Sequence, residues 1–362
     1  MTDHSTVRLL IDVKALRHNY RFLQSLSPQA SVAAVVKADA YGLGLNGVVR
    51  ALHSGGCEDF FVANLSEALA VRGITQAANI YVLEGVSADP KLALTQRLTP
   101  VLNTWEEWQQ WREWDPQGLW LLQLDTGIGR AGIDETSWRD ALTPLDVLNQ
   151  HERVCLLTQW AIAEEPAHPL NAWQLACLTR MRARVPRARV STANSAGMFL
   201  GREFQGDLAR PGLALYGGQP TARAIADIQP VVRLEAKVLQ LKTVAQSQPI
   251  GYGATHYLAP GDTVATLGVG YADGLARERA DFAYVLAHGV RCPVVGRVSM
   301  DLLTVQLPAA LKTRVRVGEW MTLLGDSQAE SISLEQLARM CRRSTHSLLT
   351  GFHAAVERIY ID

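Results

Sequence analysis

Short apolar runs alternate with helix-patterned stretches through the first 220 residues, and this alternation constrains the fold more than any other feature of the chain. The runs are residues 31–37, 58–64, 79–83, 98–103, 119–125, 154–160, 188–194 and 213–217. The first reads SVAAVVK, apolar and β-branched. Strands apolar along their whole length belong to a parallel sheet covered on both faces, where neither face meets water. The stretches between them, such as 65–72 and 171–183, carry helical spacing. Eight such units predict an α/β fold, a closed (β/α)8 TIM-like barrel, with an open doubly wound sheet as the competitor.

The texture changes after about residue 219. Residues 231–241 alternate apolar and polar, and 263–269, 291–295, 302–306 and 319–323 are short strand patterns. Gly and Pro punctuate them at Pro249-Ile250-Gly251, Pro260-Gly261 and Val317-Gly318. This predicts a mainly antiparallel β domain, finished by a helix at 334–342 and a strand at 358–361. The weakly alternating run 8–13 is expected to pair with it. A 362-residue chain fits two domains at roughly 100–200 residues each, here 1–222 and 223–362.

Composition removes several function classes. Lys plus Arg and Asp plus Glu are both 35, so no broad field draws the chain to nucleic acid or to an anionic membrane. No stretch of about 18 apolar residues and no signal-peptide pattern is present, so a cytoplasmic protein is expected. Cys57, Cys155, Cys177, Cys292 and Cys341 are odd in number and scattered, which reads as buried thiols in a reducing compartment. The nine histidines show no metal-ligand spacing, so no metal is expected. Neither a G-x-S-x-G elbow nor a Walker A run occurs.

Four groups of residues carry candidate chemistry. Lys37 ends an apolar strand, where an ammonium needs solvent, a partner or a ligand. At a barrel mouth such a lysine, its pKa lowered, is a Schiff-base former; the plainer reading is a lysine snorkelling from a strand end. Arg130 follows Asp125-Thr126-Gly127-Ile128-Gly129, a tight loop that frees it to bind an anion or is simply a turn. Asn194-Ser195 and Arg210-Pro211-Gly212-Leu213 offer a hydroxyl, backbone amides and a guanidinium for a phosphate. The plainer reading of Arg210 is a salt bridge. Tyr252, between two glycines, is a proton donor or acceptor, or an aromatic anchor at a turn.

Taken in order, AVVKADAYGLG, LDTGIGRAG, ANSAG, RPGLALYG, IGYGATH, LGVGYADG and GRVSMD resemble the alanine racemases, pyridoxal-phosphate enzymes built from a barrel and a C-terminal β domain. The likeness covers nearly the whole chain. It implies that Lys37 forms the Schiff base with pyridoxal phosphate, and that Tyr41, Ser195 and the amides of Gly212 and Leu213 hold the phosphate, with Asn194 among the cofactor-binding residues. It implies that Arg210 faces the pyridine nitrogen. A guanidinium cannot accept that nitrogen's proton, so the ring is a weaker electron sink and reprotonation at Cα is favoured over transamination. Arg130 would contact the cofactor's phenolic oxygen or the substrate carboxylate. Lys37 and Tyr252 would be the two catalytic bases, for the D and L faces. Tyr252, Met300, whose amide would meet the substrate carboxylate, and Tyr271, at the entrance, would come from the partner subunit of a homodimer, with Asp301 among the substrate-binding residues. Production of D-alanine for peptidoglycan would follow.

Two positions depart from the family pattern. Gln123 stands seven residues before Arg130, where many members have a lysine, often carbamylated. A neutral amide predicts weaker fixation of Arg130, with a chloride as a candidate substitute. Gln159 replaces a histidine that links the tyrosine base to the pyridine-facing arginine. Glutamine bridges by hydrogen bonds but takes no proton, which predicts slower catalysis. Three alternatives remain: a racemase for serine or a broader range, a weakly active cofactor-binding paralogue, and a decarboxylase of the same architecture. The last needs a Cys-Asp pair, whereas Cys292 precedes Pro293.

Overall fold

The structure is a computed structural model and describes residues 5–151, 153–278 and 281–362. Residues 1–4, where the segment scanned above for a signal peptide begins, lie outside the described residues. Strands Ala34–Val35, Asp59–Val62, Asn79–Val82, Leu98–Leu102, Trp120–Asp125, Val154–Leu157 and Arg189–Ser191 lie side by side in that order, all parallel. Strand Ser31–Val32 pairs with Leu208–Ala209 to continue the ring. On the other edge, Asp207 N–H donates to Val190 O (2.6 Å) and Arg210 N–H to Ala193 O (2.7 Å), which closes it. Phe60, Phe61, Val62, Ile80, Val82, Leu121 and Leu156 are fully buried, so the strands are dry on both faces. Each such side chain stabilises the fold by ~1.5–3 kcal/mol.

The surrounding helices start where the sequence provides a cap. The side chains of Asp12, Asn64 and Thr104 accept from Ala15, Glu67 and Glu107 N–H and open helices Val13–Leu26, Leu65–Ile74 and Trp105–Trp114. Such a cap contributes ~1 kcal/mol.

Two expectations about the barrel are corrected. The run 213–217 is not its eighth strand. Leu213–Tyr216 is a buried 3-10 turn that Gly217 ends at φ 84°, and the strand is Leu208–Ala209. Tyr216 donates its hydroxyl to Val35 O, and Leu215 O accepts from Asn19. Burial accounts for the apolar run, and a run this short has no periodicity to separate turn from strand. The run 31–37 is also interrupted: its strands end at Val35, and Lys37 opens a new element, Lys37–Tyr41.

The second sheet runs in the order Val290–Pro293, Tyr284–Ala287, Trp320–Ser327, Val232–Thr243, Val7–Asp12, Glu357–Ile361. Its pairs are antiparallel except that Val7–Asp12 runs parallel to Glu357–Ile361. Strand Val232–Thr243 also pairs with Thr263–Leu267, which pairs with Leu303–Gln306. The sequence reading missed Tyr284–Ala287, Glu330–Ile332 and the small hairpin of Gln248–Ile250 with His256–Leu258. Strands of three or four residues are too short to show alternation. No helix among the described residues is long and apolar enough to cross a membrane.

Candidate active site

Lys37 leads into an unusual piece of backbone. Ala38, Asp39, Ala40 and Tyr41 all have φ between 54° and 56°, one turn of left-handed helix built without glycine. Such a conformation costs roughly 1–2 kcal/mol per residue and persists only where surroundings hold it. Here Asp39 Oδ1 accepts from Leu45 N–H (2.7 Å) and Glu67 Oε1 from Ala38 N–H (2.7 Å). Arg358 donates to Gly42 O (2.9 and 3.1 Å), and Tyr360 donates to Leu43 O (2.8 Å). Gly42, at φ 78°, closes the turn, and a Cβ there would stand 2.3 Å from Leu349 O. The turn is therefore clamped between barrel and C-terminal strand.

Lys37 opens into a cavity of about 550 Å³ at the barrel mouth. Burial lowers its pKa, the nearby charges of Arg130 and Arg210 lower it further, and Glu67 and Glu84 oppose. Tyr41, Arg130, Asn194, Ser195, Arg210, Gly212 and Leu213 line the same cavity. The eight barrel residues singled out from the sequence thus converge in one place.

Each is placed by its own local chemistry. Ser195 Oγ accepts from Gly212 N–H (2.9 Å) and Ala214 N–H (3.2 Å) at the start of the 3-10 turn. Asn194 Oδ1 accepts from Gly197 N–H (2.8 Å) and shapes the adjoining turn. Tyr41 is wedged between the rings of Tyr216 (4.8 Å) and His346 (5.9 Å), and burial pushes its hydroxyl up to about 12, which keeps it a donor at neutral pH.

Arg210 is buried, and its hydrogen bonds go to neutral acceptors: Ser191 Oγ (2.7 Å), Thr158 O (2.8 Å), Gln159 Oε1 (3.0 Å) and Thr192 O (3.5 Å). Burial, with Arg130 nearby, brings its pKa down to about 10, so it stays charged at neutral pH. The salt-bridge reading of this residue does not hold. The Gln159 side chain accepts from Arg210, and in this chain it makes no contact with Tyr252 among the described residues.

Arg130 rides on a loop held by backbone. Asp125 Oδ1 accepts from Gly127 and Gly129 N–H, and Gln123 Nε2 donates to Ala131 O (3.0 Å). Gln123 therefore grips the loop and leaves the guanidinium alone. Among the described residues the exposed Arg130 has no hydrogen-bond or ion-pair partner.

Several lining residues were missed, among them Glu164, Gln219, His346 and Thr350. His346, on helix Thr345–Leu349, lines the cavity beside Thr350. Burial and the charge of Lys37 lower its pKa, so it stands neutral. Only the N-cap Ser344 marks this short polar stretch in the sequence, and nothing there points to the barrel mouth.

Tyr252, Tyr271, Met300 and Asp301 are not at this cavity. They lie exposed on the second domain, Tyr252 at 66% and Met300 at 54%. Tyr271 N–H donates to Ser299 O (3.0 Å) and Ala272 N–H to Met300 O (2.9 Å), joining their loops. A Cβ on Gly253 would lie 3.0 Å from Arg297 Nη1, which places the Tyr252 turn against the same loop. Tyr257 is exposed as well, at 65%. Cys292 is fully buried in strand Val290–Pro293, and burial pushes its thiol up to about 12, so it offers no proton donor. Among the described residues no group of three or more metal-ligating side chains occurs.

The comparisons agree along the whole chain. Residues 11–220 match the family described as alanine racemase, N-terminal domain, and residues 231–360 match alanine racemase, C-terminal domain. An alanine racemase of Rhodospirillum rubrum is 39% identical over 99% of this chain and 96% of its own. A catabolic alanine racemase of Agrobacterium fabrum is 36% identical over 98% of this chain and 92% of its own. The crystal structure of alanine racemase from Bartonella henselae with covalently bound pyridoxal phosphate superposes with a TM-score of 0.91 at 32% identity, covering 99% of this chain and 100% of that one. With both of its domains matched in order and relatives above 30% identity over nearly their full lengths, the chain belongs to the alanine racemase family.

Proposed function

We propose that this protein interconverts L- and D-alanine with pyridoxal phosphate bound at Lys37, in a homodimer whose subunits complete each other's sites. One observation carries the reading. A lysine with its pKa lowered by burial and two arginines shares a cavity with a hydroxyl-and-amide cradle for an anion.

The residues present fit the cofactor. A Cβ on Gly212 would stand 2.1 Å from the Tyr41 hydroxyl, so only glycine lets that hydroxyl lie against the turn whose first amide donates to Ser195 Oγ. Tyr41, Ser195 and the Gly212 and Leu213 amides would hold the phosphate, with Asn194 shaping the wall. Arg210 would face the ring nitrogen. Bound there, the cofactor supplies an electron sink that acidifies the Cα proton of alanine.

The chain's own residues do the rest. A depressed pKa leaves more of the Lys37 amine free to take a proton at Nζ near neutral pH. We assign it the D face of Cα. Tyr252 Oη takes or returns the proton on the L face, from the partner subunit, since it lies outside this chain's cavity and exposed. Met300, Tyr271 and Asp301 travel with it, the Met300 amide and Arg130 receiving the substrate carboxylate. Arg210, held on neutral acceptors, cannot accept a proton and gives none up cheaply, so it would leave a ring nitrogen beside it unprotonated. In this reading residues 1–222 carry the lysine and residues 223–362 supply the tyrosine. The proposal extends to a cytoplasmic protein that supplies D-alanine for peptidoglycan.

Proton NMR of the cofactor-loaded protein with L-alanine in D2O, followed by chiral separation, tests this. Loss of the Cα proton with appearance of D-alanine is expected. A cofactor-loaded protein that exchanges nothing from alanine is not an alanine racemase.

Gln159 sets a second expectation. Gln159→His would add a group able to carry charge beside Arg210 and to pass its polarisation to the tyrosine. Racemisation should rise about three- to tenfold, with the alkaline limb of its pH profile displaced. An unchanged rate and profile would remove Gln159 from the account.

A further inference from the structure

Two barrel helices begin alike. Asn64 caps Leu65–Ile74 and Thr104 caps Trp105–Trp114, with a glutamate three residues on in each, Glu67 and Glu107. Each glutamate reaches back to the amide just before its cap: Ala63 N–H to Glu67 Oε2 (2.8 Å) and Asn103 N–H to Glu107 Oε2 (2.6 Å). That much is a helix-start device. Glu67 does something further. Its other oxygen, Oε1, accepts from Ala38 N–H at 2.7 Å, the first amide of the left-handed turn and the one next to Lys37.

The helix start gains nothing from that bond, but the lysine turn needs it. The leading amides of a helical turn have no partner inside the turn, whichever its hand. Ala38 is exposed and has no side chain long enough to anchor itself. A carboxylate shared between two amides makes charge-assisted bonds, stronger than neutral ones.

We propose that Glu67 is a positioning residue of the racemase reaction, fixing through the Ala38 amide the peptide from which Lys37 reaches its cofactor. The inference rests on the reading of Lys37 given above. The carboxylate acts on the amine in a second way, because its charge favours the protonated form. Arg130 and Arg210 oppose it, Glu84 assists, and neutral His346 lines the cavity around Lys37 together with Tyr41 and Glu164.

The test compares wild-type holoenzyme with Glu67→Gln, Glu67→Ala and Asn64→Ala. The pH midpoint of the bound cofactor's visible absorbance should fall by about half a unit or more in both Glu67 variants. Their kcat should drop about tenfold with KM for alanine nearly unchanged. Gln, which keeps one carbonyl acceptor, should recover part of kcat but not the midpoint. Asn64→Ala removes the cap of the same helix, where Asn64 Oδ1 accepts from Glu67 N–H (3.1 Å), and should lower Tm while leaving midpoint and kcat in place. If Glu67→Ala does not fold, Glu67→Gln carries the test alone. A Glu67→Gln enzyme with wild-type midpoint and kcat overturns the inference, as does Asn64→Ala reproducing both losses. A wild-type protein that binds no pyridoxal phosphate or fails to racemise alanine refutes the functional reading itself.

Discussion

Mixing Lys37→Ala subunits with Tyr252→Phe subunits will restore racemisation to about a quarter of the wild-type rate, although either variant alone is nearly inert. Each single change removes one acid–base group and is expected to cost about 10²–10⁴ in kcat. Half of the randomly exchanged dimers contain one subunit of each kind. In such a dimer one site has lost both bases, and the other has Lys37 from one subunit and Tyr252 from its partner. The argument rests on geometry: Lys37 lines the barrel cavity, whereas Tyr252 stands two-thirds exposed on another domain. If both bases served one site within a chain, mixing would restore nothing. Subunit exchange verified by mass, with no recovered activity, would therefore end the shared-site reading.

The second large effect is expected at Gly212. Gly212→Ala should weaken pyridoxal phosphate binding by about 10²-fold, roughly 2.7 kcal/mol. The new methyl would lie 2.1 Å from Tyr41 Oη and 2.7 Å from its Cζ. Tyr41 is pinned between Tyr216 and His346 and must move out of the cradle to make room. Gly73→Ala is the control, since a Cβ there meets nothing within 4 Å. Fluorescence titration with the cofactor measures both. Affinity unchanged in Gly212→Ala would mean that the cradle lies elsewhere.

How far the sequence could be read depended on whether burial left a periodic trace. Runs such as 79–83 and 119–125 are largely apolar because helices cover one face and the barrel interior the other, so their strands were legible. The eighth strand was not. Leu208–Ala209 is too short to signal, and the longer run after it is buried as a turn. At the site, Lys37 could be picked out because a charge at the end of an apolar strand needs a reason. The left-handed turn that follows it could not, since Ala38 and Ala40 disfavour that conformation and aspartate, as at Asp39, adopts it elsewhere only as a single residue. Glu67 hid inside an ordinary helix-start pattern, and His346 inside a polar stretch. Both become visible only when distant segments meet at the barrel mouth.

Strand Val7–Asp12 lies between Val232–Thr243 and Glu357–Ile361, with Arg8 opposite Glu357. Val7–Asp12 is synthesised long before Glu357–Ile361 and waits for that strand before its sheet is complete. Contacts between such distant parts of a chain form slowly, because so long a loop must close first. During that wait the barrel can assemble while the strand keeps an unpaired edge, a hazard for aggregation. The order of events also reaches the lysine. Arg358 and Tyr360, which grip the backbone at Gly42 and Leu43, arrive with the final strand. A nascent chain can thus own every barrel residue of the cofactor cavity and still lack the clamp that holds its lysine in place.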